Sequence, residues 1–231
     1  MLVLAIDTAT KIASVALYDD KIGILGEINL YVKVNHSNII MTAVDNLFKM
    51  TKLSIADVDR VAVTIGPGSF TGIRIGVSIA KGLVFGTGKK IVGINELDVI
   101  AYNAESRNET IVSLIDARKE RVYYSTYKYE GDNLVRLSEY TDGSLAEILD
   151  NLKDEHYVFT GDGAIAYHSL IEEKMKERGV IFSKTASIPR AAVAARLATQ
   201  RDEDNLYTLE PFYVNKSQAE REKEQRDKLG K

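Results

Sequence analysis

The stretch Val61-Ala62-Val63-Thr64-Ile65-Gly66-Pro67-Gly68-Ser69-Phe70-Thr71-Gly72-Ile73-Arg74-Ile75-Gly76 reads as a buried strand, a glycine-rich turn and the start of a helix. Gly66 and Gly68 allow backbone angles that a Cβ resists, and Pro67 stiffens the turn between them. Ser69 or Thr71 can cap the helix that follows. Backbone N–H groups at such a start, with the positive end of the helix dipole, form an anion cradle. No Gly-Lys-Ser/Thr follows, so this is not a Walker loop. The loop is compatible with a phosphate without requiring one.

The helix runs from Phe70 to about Gly86 and carries small residues at four-residue spacing: Gly72, Gly76 and Ala80. Glycine inside a helix costs roughly 1 kcal/mol against alanine, so Gly76 needs a reason. Two readings stand side by side. The row packs against this chain's own sheet, or it forms a contact surface for another subunit.

On the N-terminal side, Leu2 to Ile6 is an apolar run short enough for a central strand, ending in the polar turn Asp7-Thr8-Ala9-Thr10. Ile12–Tyr18 and Ile22–Val32 follow as strands. Asn35 to Met50 shows helical spacing at Ile39, Ile40, Ala43, Val44, Leu47 and Phe48. On the C-terminal side, Ile91–Ile94 is a strand and Glu96–Ala104 a helix. The polar segment Ser106–Glu109 marks a domain boundary. Thr110–Ile115 is an apolar strand ending in Asp116-Ala117-Arg118, followed by a hairpin over Arg121–Tyr129 and Asn133–Glu139. Ser144–Asn151 reads as a helix with Ser144 and Glu147 as a capping box. His156–Thr160 is a strand meeting Gly161-Asp162-Gly163, then come a helix over Ala164–Arg178, a strand over Val180–Phe182 and a helix over Arg190–Thr199.

The order repeats. Strand, acid, turn and hairpin occur at Leu2–Tyr18 and again at Thr110–Tyr127; strand, glycine loop and helix occur at Val61–Phe85 and again at Tyr157–Arg178. Such a plan describes a duplicated α/β unit with a cleft between its halves. The expected division is an N-terminal lobe over 1–105 and a C-terminal lobe over 106–214, whose last helix, about 190–200, has the option of packing back on the first lobe. Residues 215–231 form a charged tail.

The totals narrow the function classes. The chain has 231 residues, 45% apolar and 27% charged, which suits an ordinary soluble globular protein. A net charge of −3 provides no whole-chain basic field for nucleic acid, so any RNA contacts would come mainly through another chain. Absence of cysteine removes disulfides and thiol chemistry. Met1 to Ile6 lacks the basic start of a signal peptide, and no apolar run approaches the ~20 residues of a membrane span, so the expected location is cytoplasmic.

Asp7 with Thr8 and Thr10, Asp116 with Arg118, and the loops at Gly66 and Gly161 would face the one cleft. In nucleotide-binding folds of this plan, hairpin loops hold phosphates and carboxylates hold magnesium through water. Asp7 and Asp116 could equally just close strand ends. His36, His156 and His168 are scattered, and no Gly-x-Ser-x-Gly elbow occurs. The residues describe a nucleotide-type cleft without an obvious base or nucleophile.

Leu4-Ala5-Ile6-Asp7-Thr8-Ala9-Thr10, the Gly66–Gly76 stretch and Asp116-Ala117-Arg118 together closely resemble the TsaB family of tRNA threonylcarbamoyladenosine biosynthesis proteins, in family order and over the chain to about Val214. The resemblance implies a duplicated actin/hexokinase/heat-shock-chaperone-like (ribonuclease-H-like) α/β fold, with two lobes of mixed sheets and flanking helices. It implies an accessory subunit, without activity alone, that binds and activates the catalytic relative TsaD. The reaction is threonylcarbamoylation of N6 of adenosine 37 in tRNAs reading codons that start with A, with the ATPase TsaE as a further partner. TsaD carries its metal on a His-x-x-x-His helix where this chain reads Asn95-Glu96-Leu97-Asp98-Val99, so no catalytic metal is expected. No cofactor is firmly implied; a nucleotide, if held, would be ATP or ADP with magnesium at the seam with TsaD. The two helices that form the TsaD contact, and a competing homodimer, match Asn35–Met50 and Phe70–Gly86. Ile40, Ala43, Leu47, Gly72, Gly76 and Ala80 are the expected interface residues. The alternative reading is a small ATP-binding kinase or ATPase using Asp7, Thr8, Gly66, Gly68, Ser69, Thr71, Asp116 and Gly161. A peptidase reading has no metal pair, cysteine or serine elbow behind it.

Overall fold

The structure is a computed structural model and describes residues 1–32, 36–104, 108–154 and 156–214. The 105/106 boundary and the 215–231 tail therefore lie outside the described residues. The first half forms β1 (Leu2–Asp7), β2 (Ile12–Asp19), β3 (Gly23–Tyr31), α1 (His36–Thr51), β4 (Arg60–Gly66), α2 (Phe70–Val84), β5 (Lys90–Asn95) and α3 (Glu96–Ala101). Its five strands form one sheet in the order β3-β2-β1-β4-β5. The first three strands are antiparallel neighbours, while β4 and β5 join in parallel, as crossovers through α1 and α2 require.

The second half repeats the plan. It contains β6 (Thr110–Asp116), β7 (Arg121–Glu130), β8 (Asn133–Arg136), β9 (Thr141–Ser144), α4 (Leu145–Asn151), β10 (Tyr157–Thr160), α5 (Asp162–Ala166), α6 (His168–Met175), β11 (Gly179–Ile181) and α7 (Ala191–Thr199). Its sheet runs β11-β10-β6-β7-β8, the mirror listing of the first, with β9 pairing on β7. Sequence reading missed β9, which is only four residues long and includes a glycine.

Apolar faces decide the layers. One face of the first sheet, through Leu4, Ile6 and Val63, packs on Ile40, Val44 and Leu47 of α1 and on Ile73, Val77 and Ala80 of α2. The opposite face, through Val3, Ala5 and Ala62, receives the alanine-rich α7. The chain thus crosses back, and its last described helix belongs physically to the N-terminal sheet. α3 leaves the first sheet and sets Leu97, Ile100 and Ala101 against Ile111, Ile115 and Val158 of the second. The outer face of that sheet carries α4 and α6 through Leu145, Ile148, Leu149, Ile171 and Met175. Among the described residues no helix is long and apolar enough to cross a membrane.

Two local expectations are corrected. The helix expected over 164–178 breaks at Tyr167, whose backbone leaves the helical region at φ −112°, ψ 28°. The break serves a tertiary bond: the Tyr167 hydroxyl donates to Asp116 Oδ1 at 2.7 Å and accepts from the Glu120 N–H at 3.1 Å. Ser144 precedes α4 but makes no side-chain cap bond. It sits instead in the β7–β9 ladder opposite Arg121.

Candidate functional site

The glycine loop lies between β4 and α2, and its conformation follows from what presses on it. Gly66 and Gly68 have φ of +110° and +154°, a region that favours glycine. A Cβ on Gly68 would stand 2.2 Å from the Ala9 carbonyl oxygen. One on Gly72 would stand 2.1 Å from the Thr8 carbonyl oxygen, and one on Gly76 2.4 Å from Thr8 Oγ1. Gly66 is approached by the Phe212 carbonyl oxygen from the returning C-terminal segment, at 2.7 Å from where its Cβ would be. The turn after β1 is therefore pressed into the start of α2, and the small row is the space it occupies.

Hydrogen bonds fix this contact. Ser69 N–H donates to the Ala9 carbonyl at 2.7 Å, and Thr8 Oγ1 donates to the Gly72 carbonyl at 2.7 Å. Ser69 caps α2 by accepting from Gly72 N–H at 3.3 Å, so the cap is Ser69 rather than Thr71. A donor of the expected anion cradle is thus committed to a carbonyl of the chain itself.

The same contacts place the residues of the expected interface set within the chain. Ile40, Ala43, Leu47 and Ala80 are 5% exposed or less, and Gly72 and Gly76 are buried as well. All six face this chain's own interior and form no outward surface. The outward sides of the same helices present other residues. Ile39, Phe48, Ile79 and Leu83 are half-buried over the core, and Met41 and Phe85 are exposed.

A cleft of about 510 Å³ does open between the halves. Gly68, Ser69 and Thr71 line it from the first half, and Asp116 from the second, so four of the eight loop and acid candidates meet there. Lys11, Arg118 and Asp162 join them. Asp7, Thr8, Gly66 and Gly161 do not line it. Gly161, at φ +99°, is held under β6, where a Cβ would stand 2.1 Å from the Leu114 carbonyl oxygen.

Asp7 is sealed behind the cleft. Its Oδ1 accepts from the Ala9 N–H at 3.0 Å and from Thr64 Oγ1 at 2.8 Å, and the residue is fully buried. Its Oδ2 has no hydrogen-bond partner among the described residues, and neither has either carboxyl oxygen of the fully buried Glu96. The two carboxyls lie close enough for the charge of Asp7 to act on Glu96. Burial foremost, then the charge of Asp7, pushes the Glu96 pKa well above the carboxylate range, and burial pushes Asp7 up to about 6. Both shifts favour the protonated form of these enclosed carboxyls over what it would be in water. Burial also pushes Asp162 up to about 6. A carboxylate so enclosed does not fit a magnesium ion, and among the described residues no group of three metal-ligating side chains occurs. Sequence reading missed Glu96; the signal was its place at the end of a strand, in the polar break Asn95-Glu96 between the apolar run Ile91–Ile94 and Leu97.

This arrangement has a definite pH signature. Asp7 and Asp162 have folded pKa values raised from 3.8 to about 6. The folded state therefore holds more protons than the unfolded chain between about pH 4 and pH 6, and these groups weaken stability as pH rises through that window. Asp7→Asn keeps the acceptor for Ala9 and Thr64, supplies an N–H toward Glu96 and cannot ionise. It is expected to raise stability by about 2 kcal/mol at pH 8, and by less at pH 5. Urea denaturation at the two pH values measures this; a loss of stability at both would show that the Asp7 charge supports the fold.

The comparisons with known proteins agree with this geometry. The model of the family described as "TsaD: tRNA N6-adenosine threonylcarbamoyltransferase" matches residues 12–223. The tRNA threonylcarbamoyladenosine biosynthesis protein TsaB of Bacillus subtilis is 30% identical over 222 residues, covering 95% of this chain and 96% of that protein. TsaB of Escherichia coli is 34% identical over 139 residues, 58% of each. Among solved structures, YeaZ from Pseudomonas aeruginosa superimposes with a TM-score of 0.79 at 23% identity, over 92% of this chain and 99% of that one. The two mirrored sheets with flanking helices form a duplicated α/β fold, and this is the fold shared with YeaZ. Matched along nearly its whole length, the chain belongs to the TsaB family of tRNA threonylcarbamoyladenosine biosynthesis proteins, within the wider TsaD family.

Proposed function

We propose that this chain is an accessory subunit that binds and activates TsaD in threonylcarbamoylation of N6 of adenosine 37 of tRNA, with no chemistry of its own. The observation that carries the reading is the enclosure of Asp7. The carboxylate best placed for nucleotide chemistry is sealed against Thr64 and the buried Glu96, and the loop beside it is filled by the chain's own Thr8–Ala9 turn. What remains outward is a pair of adjacent helices. Their half-buried Ile39, Phe48, Ile79 and Leu83, with exposed Met41 and Phe85, supply the apolar centre of a docking face. A stable complex needs about 800 Å² from each partner. The same face pairs two copies when TsaD is absent. TsaE joins the assembled pair, and tRNA is held mainly through the complex, in keeping with a net charge of −3.

Depletion of the chain followed by mass spectrometry of tRNA nucleosides tests the role. Threonylcarbamoyladenosine is expected to fall to background and to return on re-expression; an unchanged level would overturn the proposal.

A further inference from the structure

A second cavity, of about 370 Å³, is lined by none of the glycine-loop residues and is within the size range of small-molecule sites. Both halves build it. Asp98 of α3 forms its base, Gln200 and Arg201 enter from the end of α7, and Asn133, Arg136 and Tyr140 come from the β8 side. Asp98 is 5% exposed, yet both its oxygens are satisfied. Tyr127 Oη donates to Oδ1 at 2.9 Å, Tyr140 Oη lies 2.8 and 2.9 Å from the two oxygens, and Arg201 Nη2 donates to Oδ2 at 2.6 Å. The buried charge is therefore neutralised within the wall, and it fixes the Tyr140 ring and the Arg201 guanidinium in place.

Arg136 is the second guanidinium of this wall, beside Arg201, of which only Nη2 is bonded to Asp98. Its guanidinium lies 4.0 Å from the centroid of the Tyr140 ring, stacked on one face. Its ion pair, to Glu139, is 3.6 Å long, and that carboxylate is 88% exposed. Such a pair is worth little in water. A guanidinium held flat against an aromatic ring offers its other face to a planar ring and its edge to an anion. Asn133 and Gln200 add amides able both to donate and to accept, as recognition of a base edge requires.

We propose that this cavity is a nucleotide-monophosphate site, with the base stacked on Arg136 beside Tyr140 and the phosphate directed to the guanidinium edges of Arg136 and Arg201. Because its walls come from both halves, an occupant ties the two lobes together. The nucleotide could arrive free or as a unit of single-stranded RNA, and the chemistry recognised is the same.

The test is isothermal titration of the full chain with AMP, ribose 5-phosphate and a short single-stranded oligoadenylate. AMP is expected to bind saturably and to raise the melting temperature. Ribose 5-phosphate, lacking the base, is expected to bind about tenfold more weakly. Arg136→Ala is expected to weaken AMP by about tenfold or more while melting as the parent does, and Lys11→Ala, in the glycine-loop cleft, to leave it unchanged. Oligoadenylate binding tighter than AMP and equally lost in Arg136→Ala identifies RNA as the source; weaker binding identifies the free nucleotide. Absence of saturation by both AMP and oligoadenylate up to about 1 mM overturns the proposal. So does binding that survives Arg136→Ala or disappears in Lys11→Ala.

Discussion

Gly72→Ala is expected to destabilise the chain by about 3 kcal/mol, lowering the melting temperature by roughly 10 °C. Helix propensity alone gives the opposite sign, since alanine is favoured over glycine inside a helix by roughly 1 kcal/mol. Packing wins because the new methyl would stand 2.1 Å from the Thr8 carbonyl oxygen. That oxygen is backbone at the end of a fully buried strand and has no rotamer with which to move aside. Gly82, further along the same helix, supplies the control. It is exposed, and a Cβ there meets nothing within 4 Å. Gly82→Ala is therefore expected to stabilise by up to about 1 kcal/mol. Thermal melts of the two variants decide the matter; equal and positive shifts would show that the turn after β1 does not press on α2.

The second large effect separates two neighbouring residues of α2. Ala80 is fully buried among Ile40, Leu47 and Ile73, so Ala80→Arg places a charge where no partner exists and is expected to prevent folding. It reports on the core and says nothing about a partner. Ile79 is half-buried on the outward side, and Phe85 beyond the helix end is 67% exposed. Ile79→Glu and Phe85→Glu are expected to fold, and to weaken the complex with TsaD by about thirtyfold where the side chain sits at the centre of the interface. Co-purification followed by calorimetry measures this. If both variants fold and bind TsaD with unchanged affinity, the docking face lies elsewhere on the molecule.

Stability and pH connect to the same design. In an enzyme, a buried acid with a raised pKa is commonly a proton carrier facing its substrate. Here Asp7 faces Thr64, the Ala9 N–H and Glu96, all within the chain. The expected gain from Asp7→Asn follows from that enclosure, and removal of a carboxylate that served the fold would give a loss.

The sequence by itself determined the duplicated plan, because each half buries its strands through local runs such as Leu2–Ile6 and Thr110–Ile115, and these runs are readable without partners. It also determined the glycine loop and the family, since those depend on residues adjacent along the chain, and it narrowed the helix cap to Ser69 or Thr71. Only the tertiary structure decided what the glycines are for. Gly72 and Thr8 are 64 positions apart, and Gly66 meets Phe212 across most of the chain, so no local pattern records either approach. The same holds for the acids. Asp7 and Glu96 act on each other's charge because β1 and the start of α3 come together in the fold, and burial there removes the water that would otherwise favour ionisation of both. Burial of Gly76 and Ala80 against the chain's own sheet and turn was likewise settled in space. A helix's apolar stripe shows which side is buried, and only the packed neighbours show against what.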